Sequence, residues 1–271
     1  MEKTTRIWNI DAGAMKNYLS VCLGASENEK VFENFKSNPG YMPIVELGLE
    51  ETSKYIPCLK RNANLILSKI EELRENDIYG HPVVYDFPLF GKFSPTTIRY
   101  IKQSCDILSN FGSEKISIIV ELGGGYGGLS KTLENFINFE KYCIFDLAEP
   151  NALTQKYLSK FNLQDKISSH LFTNEVFFKD KEIDLFISNY AFSELPRLIQ
   201  QAYIEKIIKK CKMFYIAYNT VSENSEFDKG MSFSDFCDKV REFDIKVECE
   251  QNGLSNNKIL YGKLKKNTYE Q

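Results

Sequence analysis

Five of the six residues from Gly123 to Gly128 are glycine, the exception being Tyr126. The run follows an apolar strand expected over 116–122, interrupted by Ser117 and Glu121, and precedes a helix expected over 130–139. Glycine at a strand-to-helix turn lets a ligand approach the backbone where a side chain would block it. So many glycines also cost folding entropy, which argues for a turn that binds something. Asp146 ends the next expected strand, 23 positions past Gly123, and a carboxylate there can accept two hydrogen bonds from a ribose diol. Gly123, Gly125 and Gly128 match G-x-G-x-x-G, a spacing that by itself admits a dinucleotide. Glu121, just upstream, points the other way. An acid there suits a ligand with a free amino group and no phosphates, such as S-adenosylmethionine, and repels a pyrophosphate.

Other residues are candidates for chemistry on a second substrate. Glu194 lies after the fourth expected strand and reads either as a general base or as an acid at the start of the helix opened by Pro196. His81, beside Pro82 in an extended connector over 80–88, is a second candidate base, since histidine titrates near working pH; a surface histidine is its plainer reading. His170 sits inside a strand pattern and reads as a sheet residue. Arg99 either neutralises an acid on the ligand or is a helix-surface charge. Tyr126 either packs over the ligand or points into the sheet–helix interface. The aromatics Tyr85, Phe87, Phe90 and Phe93 read first as a seal between the N-terminal segment and the rest of the chain, and second as stacking surfaces for a sugar ring. Glu149 and Glu194 are the carboxylates nearest to a metal-ligand pattern, and no required metal is expected.

These residues need a scaffold. From residue 116 short apolar runs alternate with helical patterns: strands over 116–122, 142–146, 167–172, 183–188 and 213–218, with helices over 130–139 and 150–161 and another opened by Pro196. That alternation predicts a parallel sheet covered on both faces. After a helix near 233–243, two strands over 245–249 and 258–264 are separated by a loop too short for a crossover helix, so they are expected to be antiparallel neighbours. Upstream, Ser94 and Pro95 open a helix with an apolar face of Ile98, Ile101, Cys105 and Leu108, ending near Gly112. Residues 1–110 are read as a helical segment that caps the site, binds the acceptor or forms a homodimer contact, and 111–271 as the catalytic domain.

Composition narrows the partners. The 271 residues carry a net charge of −3 with 43% hydrophobic and 26% charged residues, ordinary for a globular protein and without a broad pull on nucleic acid. Seven cysteines without a C-x-x-C pair read as reduced thiols. Two distant histidines make a structural zinc site an unsuitable reading. No apolar run approaches a membrane span or a signal-peptide core, so a cytoplasmic location is expected.

The strand–glycine turn–helix, the acid ending the second strand and the antiparallel ending resemble the class I S-adenosylmethionine-dependent methyltransferases. A narrower resemblance covers about residues 80–263. Phe93-Ser94-Pro95-Thr96-Thr97-Ile98-Arg99-Tyr100 looks like the S-P-T-T-x-R-Y signature of the bacterial sugar O-methyltransferase family, in which it precedes an E-[IL]-G-G-G-Y-G-G turn, here Glu121 to Gly128. Phe145 to Pro150, Ser188 to Glu194 and Asn257 to Tyr261 are similar to later motifs of that family. The resemblance implies a Rossmann-like doubly wound, mostly parallel sheet with an antiparallel C-terminal strand. It implies that Gly123, Gly125 and Gly127, with Gly124 and Tyr126 in the same turn, line the methionine part of S-adenosylmethionine, and that Glu121 reaches its amino group. Asp146 would hold the ribose, Leu147 would pack on adenine and Thr173 would contact the adenine edge. Asn189 and Tyr190 would stand near the transferred methyl. The implied acceptor is a hydroxyl of a sugar or glycan precursor. The alternatives are an NAD(P)-dependent oxidoreductase of a nucleotide sugar and an inactive partner subunit that keeps the fold.

Overall fold

The computed structural model describes residues 12–172, 182–220, 229–251 and 257–265. In chain order, helix α1 spans Ala12–Glu27 and is followed by short helical turns as far as Glu75–Asp77. Strands β1 (Tyr85–Phe87) and β2 (Gly91–Phe93) form a small antiparallel hairpin. Helix α2 (Pro95–Phe111), strand β3 (Ile118–Leu122), helix α3 (Gly128–Leu133), strand β4 (Lys141–Asp146), helix α4 (Ala148–Ser159) and strand β5 (Ile167–Leu171) come next. Strand β6 (Ile183–Asn189), helix α5 (Arg197–Lys206), strand β7 (Cys211–Tyr218), helix α6 (Phe233–Lys239) and strands β8 (Phe243–Cys249) and β9 (Lys258–Leu264) complete it.

The seven strands β3–β9 form one sheet in the order β5-β4-β3-β6-β7-β9-β8. Neighbours from β5 to β7 are parallel, while β9 is antiparallel to both β7 and β8. The chain starts in the middle of the sheet, steps out through β4 to β5, then returns to the other side of β3 with β6. The strand order therefore reverses beside β3, and a crevice opens there at the carboxyl ends of the strands. This is the Rossmann-like, mostly parallel sheet with an antiparallel ending expected from the sequence. It also shows that the last strand inserts between β7 and β8.

Side-chain alternation sends successive residues to opposite faces. Ile119, Tyr142, Ile144, Leu185 and Ile187 join one core with residues of α1, α3 and α4 and with Phe32, Phe35 and Tyr41 of the N-terminal segment. Val120, Leu122, Cys143, Phe145 and Phe186 join a second core under α5 and α6. Both faces being covered explains why β3, β6 and β7 read as nearly unbroken apolar runs. A third cluster joins Tyr55, Leu59, Ile66 and Leu73 to the hairpin residues Phe87, Phe90 and Phe93 and to Ile98 and Ile101 of α2. The connector aromatics are thus a seal rather than a sugar platform, except Tyr85, which is exposed.

Helix α2 starts as its sequence dictates: Ser94 Oγ accepts the Thr97 amide at 3.1 Å, and Pro95 takes the first position. It ends before Gly112, which keeps right-handed backbone (φ −65°). A Cβ at Gly112 would run into the Leu108 carbonyl, so space, not handedness, selects glycine there. No helix among the described residues is long and apolar enough to cross a membrane.

Candidate active site

A cavity of about 330 Å³ opens at the carboxyl ends of β3, β4 and β6, a size usual for small-molecule sites. Its floor is the glycine turn. Gly123, Gly124 and Gly125 line it, and Gly123 and Gly125 hold left-handed backbone, φ 78° and 59°. A Cβ on Gly123 would strike Ala191, whereas one on Gly125 would meet nothing of the protein. The backbone at Gly125 is therefore bare toward open space, the property that a close-approaching ligand requires.

Two buried carboxylates flank that floor. Glu121 is 1% exposed and accepts the Tyr142 hydroxyl at 2.8 Å. Burial pushes its carboxyl up to about 7, against the lowering effect of hydrogen bonds from Tyr142 and Asn189. Asp146 accepts the Gly125 amide at 2.9 Å through one oxygen and the Leu147 amide at 2.8 Å through the other. Burial outweighs these two bonds and pushes Asp146 up to about 6. Besides burial, Glu121 feels a phenol, a carboxamide and the Asp146 charge, and Asp146 feels two backbone amides; no cation is among them. Each Asp146 oxygen keeps a lone pair for a further donor.

Asn189, Tyr190, Ala191 and Glu194 form the adjoining wall. Asn189 is oriented from both sides, accepting Gln103 Nε2 at 2.8 Å and bonding Glu121. Tyr190 carries left-handed backbone (φ 67°), unusual for a bulky residue. Its amide donates to the Ala217 carbonyl at 2.9 Å and its hydroxyl donates to Glu250, which also accepts Tyr55 at 2.8 Å. The short helical turn Ala191–Glu194 then presents Glu194 to the cavity, where Asn219 Nδ2 donates to its Oε1 at 2.7 Å. Burial raises the Glu194 carboxyl above its ordinary range.

The third wall comes from the N-terminal part of the chain: Met15, Tyr18, Pro43, Ile44, Val45, Arg99 and Tyr100. Among the described residues Arg99 is the cation of the lining; its Nη2 donates to the Val45 carbonyl at 2.9 Å and its buried Nε meets no partner among them. It is not the helix-surface charge that its position in an amphipathic helix allowed. Leu147 completes the lining.

The remaining sequence candidates lie elsewhere. Tyr126 does not line the cavity: its ring is fully buried against Phe35, Tyr100 and Tyr157. A turn residue flanked by two left-handed glycines points its side chain away from the ligand face, so the interface alternative holds. Gly127 (φ 86°) caps α3 and faces Thr154 and Leu158. His81 is exposed, with φ 48°, and is not part of the lining. Thr173 falls outside the described residues. Sequence reading missed Met15, Tyr18 and the Pro43–Val45 stretch. The only available signal was the one-turn spacing of Met15 and Tyr18 on α1, which does not say what that face covers.

No family model matches the chain, and no curated protein matches it. Solved structures do. An S-adenosylmethionine-dependent methyltransferase from Clostridium acetobutylicum is 12% identical over 62% of this chain and 90% of its own, with a TM-score of 0.47. The glycopeptide N-methyltransferase MtfA is 12% identical over 61% of this chain and 90% of its own, with a TM-score of 0.48. The cyclase SpnF is 8% identical over 60% of this chain and 80% of its own, with a TM-score of 0.49. The class defined here, a Rossmann-like sheet with an antiparallel ending and a glycine turn at its switch point, rests on strand order and site geometry rather than on these values.

Proposed function

We propose that this chain is an S-adenosylmethionine-dependent O-methyltransferase acting on a hydroxyl of a sugar or glycan precursor. The observation that carries the reading is the pair Glu121 and Asp146, two buried acids that no cation among the described residues pairs with, on either side of a bare glycine floor. Such a site fits a ligand with an ammonium at one end and a diol at the other. It does not fit a pyrophosphate, which would lie against Glu121. Gly128, the third glycine of the dinucleotide spacing, is occupied differently: a Cβ there would strike the Tyr126 and Tyr100 rings.

The donor supplies an electrophilic methyl group when bound. Glu121 would take its ammonium, Asp146 its ribose hydroxyls and Leu147 the face of its adenine, with Thr173 as a proposed contact to the adenine edge. Arg99 would meet a carboxylate, of the donor's methionine or of an acidic acceptor. Asn189 and Tyr190 would hold the acceptor oxygen in line, because displacement at a sulfonium depends on alignment. Glu194 would take the hydroxyl proton: burial makes it a stronger base than an exposed acid, and Asn219 fixes one of its oxygens. The sugar itself rests on the Ser94–Tyr100 signature and its companion motifs. Residues 1–110 are assigned as a helical cap on a catalytic domain of 111–271, in a cytoplasmic protein.

The test is ligand-dependent melting. S-adenosylhomocysteine should raise the melting temperature by mass action, worth about 2.7 kcal/mol at a hundredfold excess over Kd, and NAD should leave it unchanged. The reverse pattern would sink the donor assignment. Glu194→Gln should bind S-adenosylhomocysteine normally and lose at least about a hundredfold in kcat; normal turnover would remove Glu194 as the base.

A further inference from the structure

The two motifs singled out in the sequence, Ser94-Pro95-Thr96-Thr97 and the glycine turn, are joined by a third element that carries no signature of its own. We infer that Glu75, Asn76 and Asp77 form a bracket that sets the shape of the glycine turn, with Asn76 as the positioning residue. The inference rests on the donor reading only for what the shaped turn binds.

Asn76 is 1% exposed, and both polar atoms of its side chain are hydrogen-bonded. One amide proton goes to Thr97 Oγ1 at 2.6 Å, the other to the Tyr126 hydroxyl at 3.0 Å, and its Oδ1 accepts the Tyr157 hydroxyl at 2.6 Å. Those partners belong to α2, the glycine turn and α4. On one side, Asp77 accepts the Ser94 amide at 2.7 Å and the Thr97 hydroxyl at 2.7 Å. On the other, Glu75 pairs with Lys131 of α3 at 2.8 Å. The buried Lys36 closes the arrangement from above, donating to the Asn76 carbonyl at 2.5 Å and lying 4.3 Å from the centre of the Tyr126 ring.

Tyr126 is the only residue of the turn with a side chain to hold. It stands between Gly125 and Gly127, both left-handed, so the backbone on either side has little intrinsic preference. Anchoring the Tyr126 hydroxyl therefore fixes how Gly123–Gly125 face the cavity. Thr97 reaches the turn through Asn76, which gives a physical reason for the two motifs to occur together.

The experiment is amide hydrogen exchange over the glycine turn in the ligand-free protein. The variants are Thr97→Val, Asn76→Ala and Tyr126→Phe, with Phe111→Leu at the far end of α2 as a control of comparable melting temperature. All three variants, each of which removes a hydrogen bond of Asn76, should exchange about tenfold faster at residues 124–127, the weight of one buried hydrogen bond, and the control should not. With S-adenosylmethionine as donor, Tyr126→Phe should raise its KM about tenfold with kcat at saturation unchanged. Turn exchange equal to that of the control overturns the bracket. Should the wild-type protein ignore S-adenosylhomocysteine, the donor reading fails, and exchange alone still decides the bracket.

Discussion

Glu121 is a buried acid whose ionised form opposes stability. Its carboxyl is held near 7 by burial, above the ordinary 4.5. The fold therefore favours the neutral form: the stability linked to this group is complete below pH 4.5 and is lost as pH rises through 7. Glu121→Gln removes that loss and should make the ligand-free protein more stable at pH 8, by up to about 3 kcal/mol, with little change at pH 4. The same variant should bind S-adenosylhomocysteine much more weakly, since the ammonium loses its counter-charge. Melting curves at both pH values, with and without the ligand, check both signs; a destabilised Gln variant at pH 8 would contradict the burial argument. At this scale the sequence was informative where chemistry demanded a rare pattern. Glu121, Asp146 and Gly123–Gly125 were legible because their spacing is unusual, and all of them line the cavity. His81 was drawn in by chemistry alone, and nothing local to it says that it faces solvent. Arg99 was open between a ligand contact and a helix-surface charge, because its place on the first turns of α2 does not say what that face meets; here it borders the cavity.

At the scale of elements, the ends of the sheet opposite the cavity are pinned by Asp184 on β6. It accepts the amides of Ser117 and Ile118 at 2.8 and 2.9 Å, ahead of and within β3, and pairs with Lys212 of β7 at 3.0 Å. Burial pushes its carboxyl up, but the Ile118 and Ser117 amides and Lys212 outweigh this and hold it below 3.8. Its contribution is present above pH 3.8 and is lost as pH falls through the depressed value. Asp184→Ala should lower unfolding free energy at pH 7 by about 1–3 kcal/mol and leave donor affinity unchanged, because the site lies at the other end of the strands. Urea titrations at pH 7 and pH 3 measure it; a deficit that did not shrink at pH 3 would count against the charge as its source. The strands and most of the longer helices follow the periodicity of the sequence, but α3, expected over 130–139, ends at Leu133, because the apolar spacing of Leu133, Phe136 and Ile137 is met equally by the turns that follow. The β1–β2 hairpin did not emerge, because two three-residue strands are too short to show alternation. The insertion of β9 between β7 and β8 is a choice made by packing: Ile259, Leu260 and Tyr261 are buried, whereas β8 is mostly exposed, and that difference in apolar content was a usable signal.

For the molecule as a whole, the cavity is built by distant parts of the chain, with floor and one wall from residues 121–147 and 189–194 and the other wall from 15–45 and 99–100. If ligand binding draws on both, S-adenosylhomocysteine should slow amide exchange in α1 and around residues 42–45 as well as in the glycine turn. Protection confined to 121–147 and 189–194 would mean that the N-terminal wall does not respond to the donor. This part of the site was illegible in the sequence, since a helix turning Met15 and Tyr18 to one side gives no sign of the surface opposite.

The aromatic cluster of Phe32, Phe35 and Tyr41 has a further consequence, in the time before folding is complete. Phe35 packs against Tyr126, which itself packs against Tyr157, so rings made early must wait for partners synthesised more than 80 residues later. At ribosomal speeds that interval is roughly 10 s. During it these rings can pack only on one another, the face that Tyr126 covers stays open, and the growing chain should depend on chaperones until α4 has emerged.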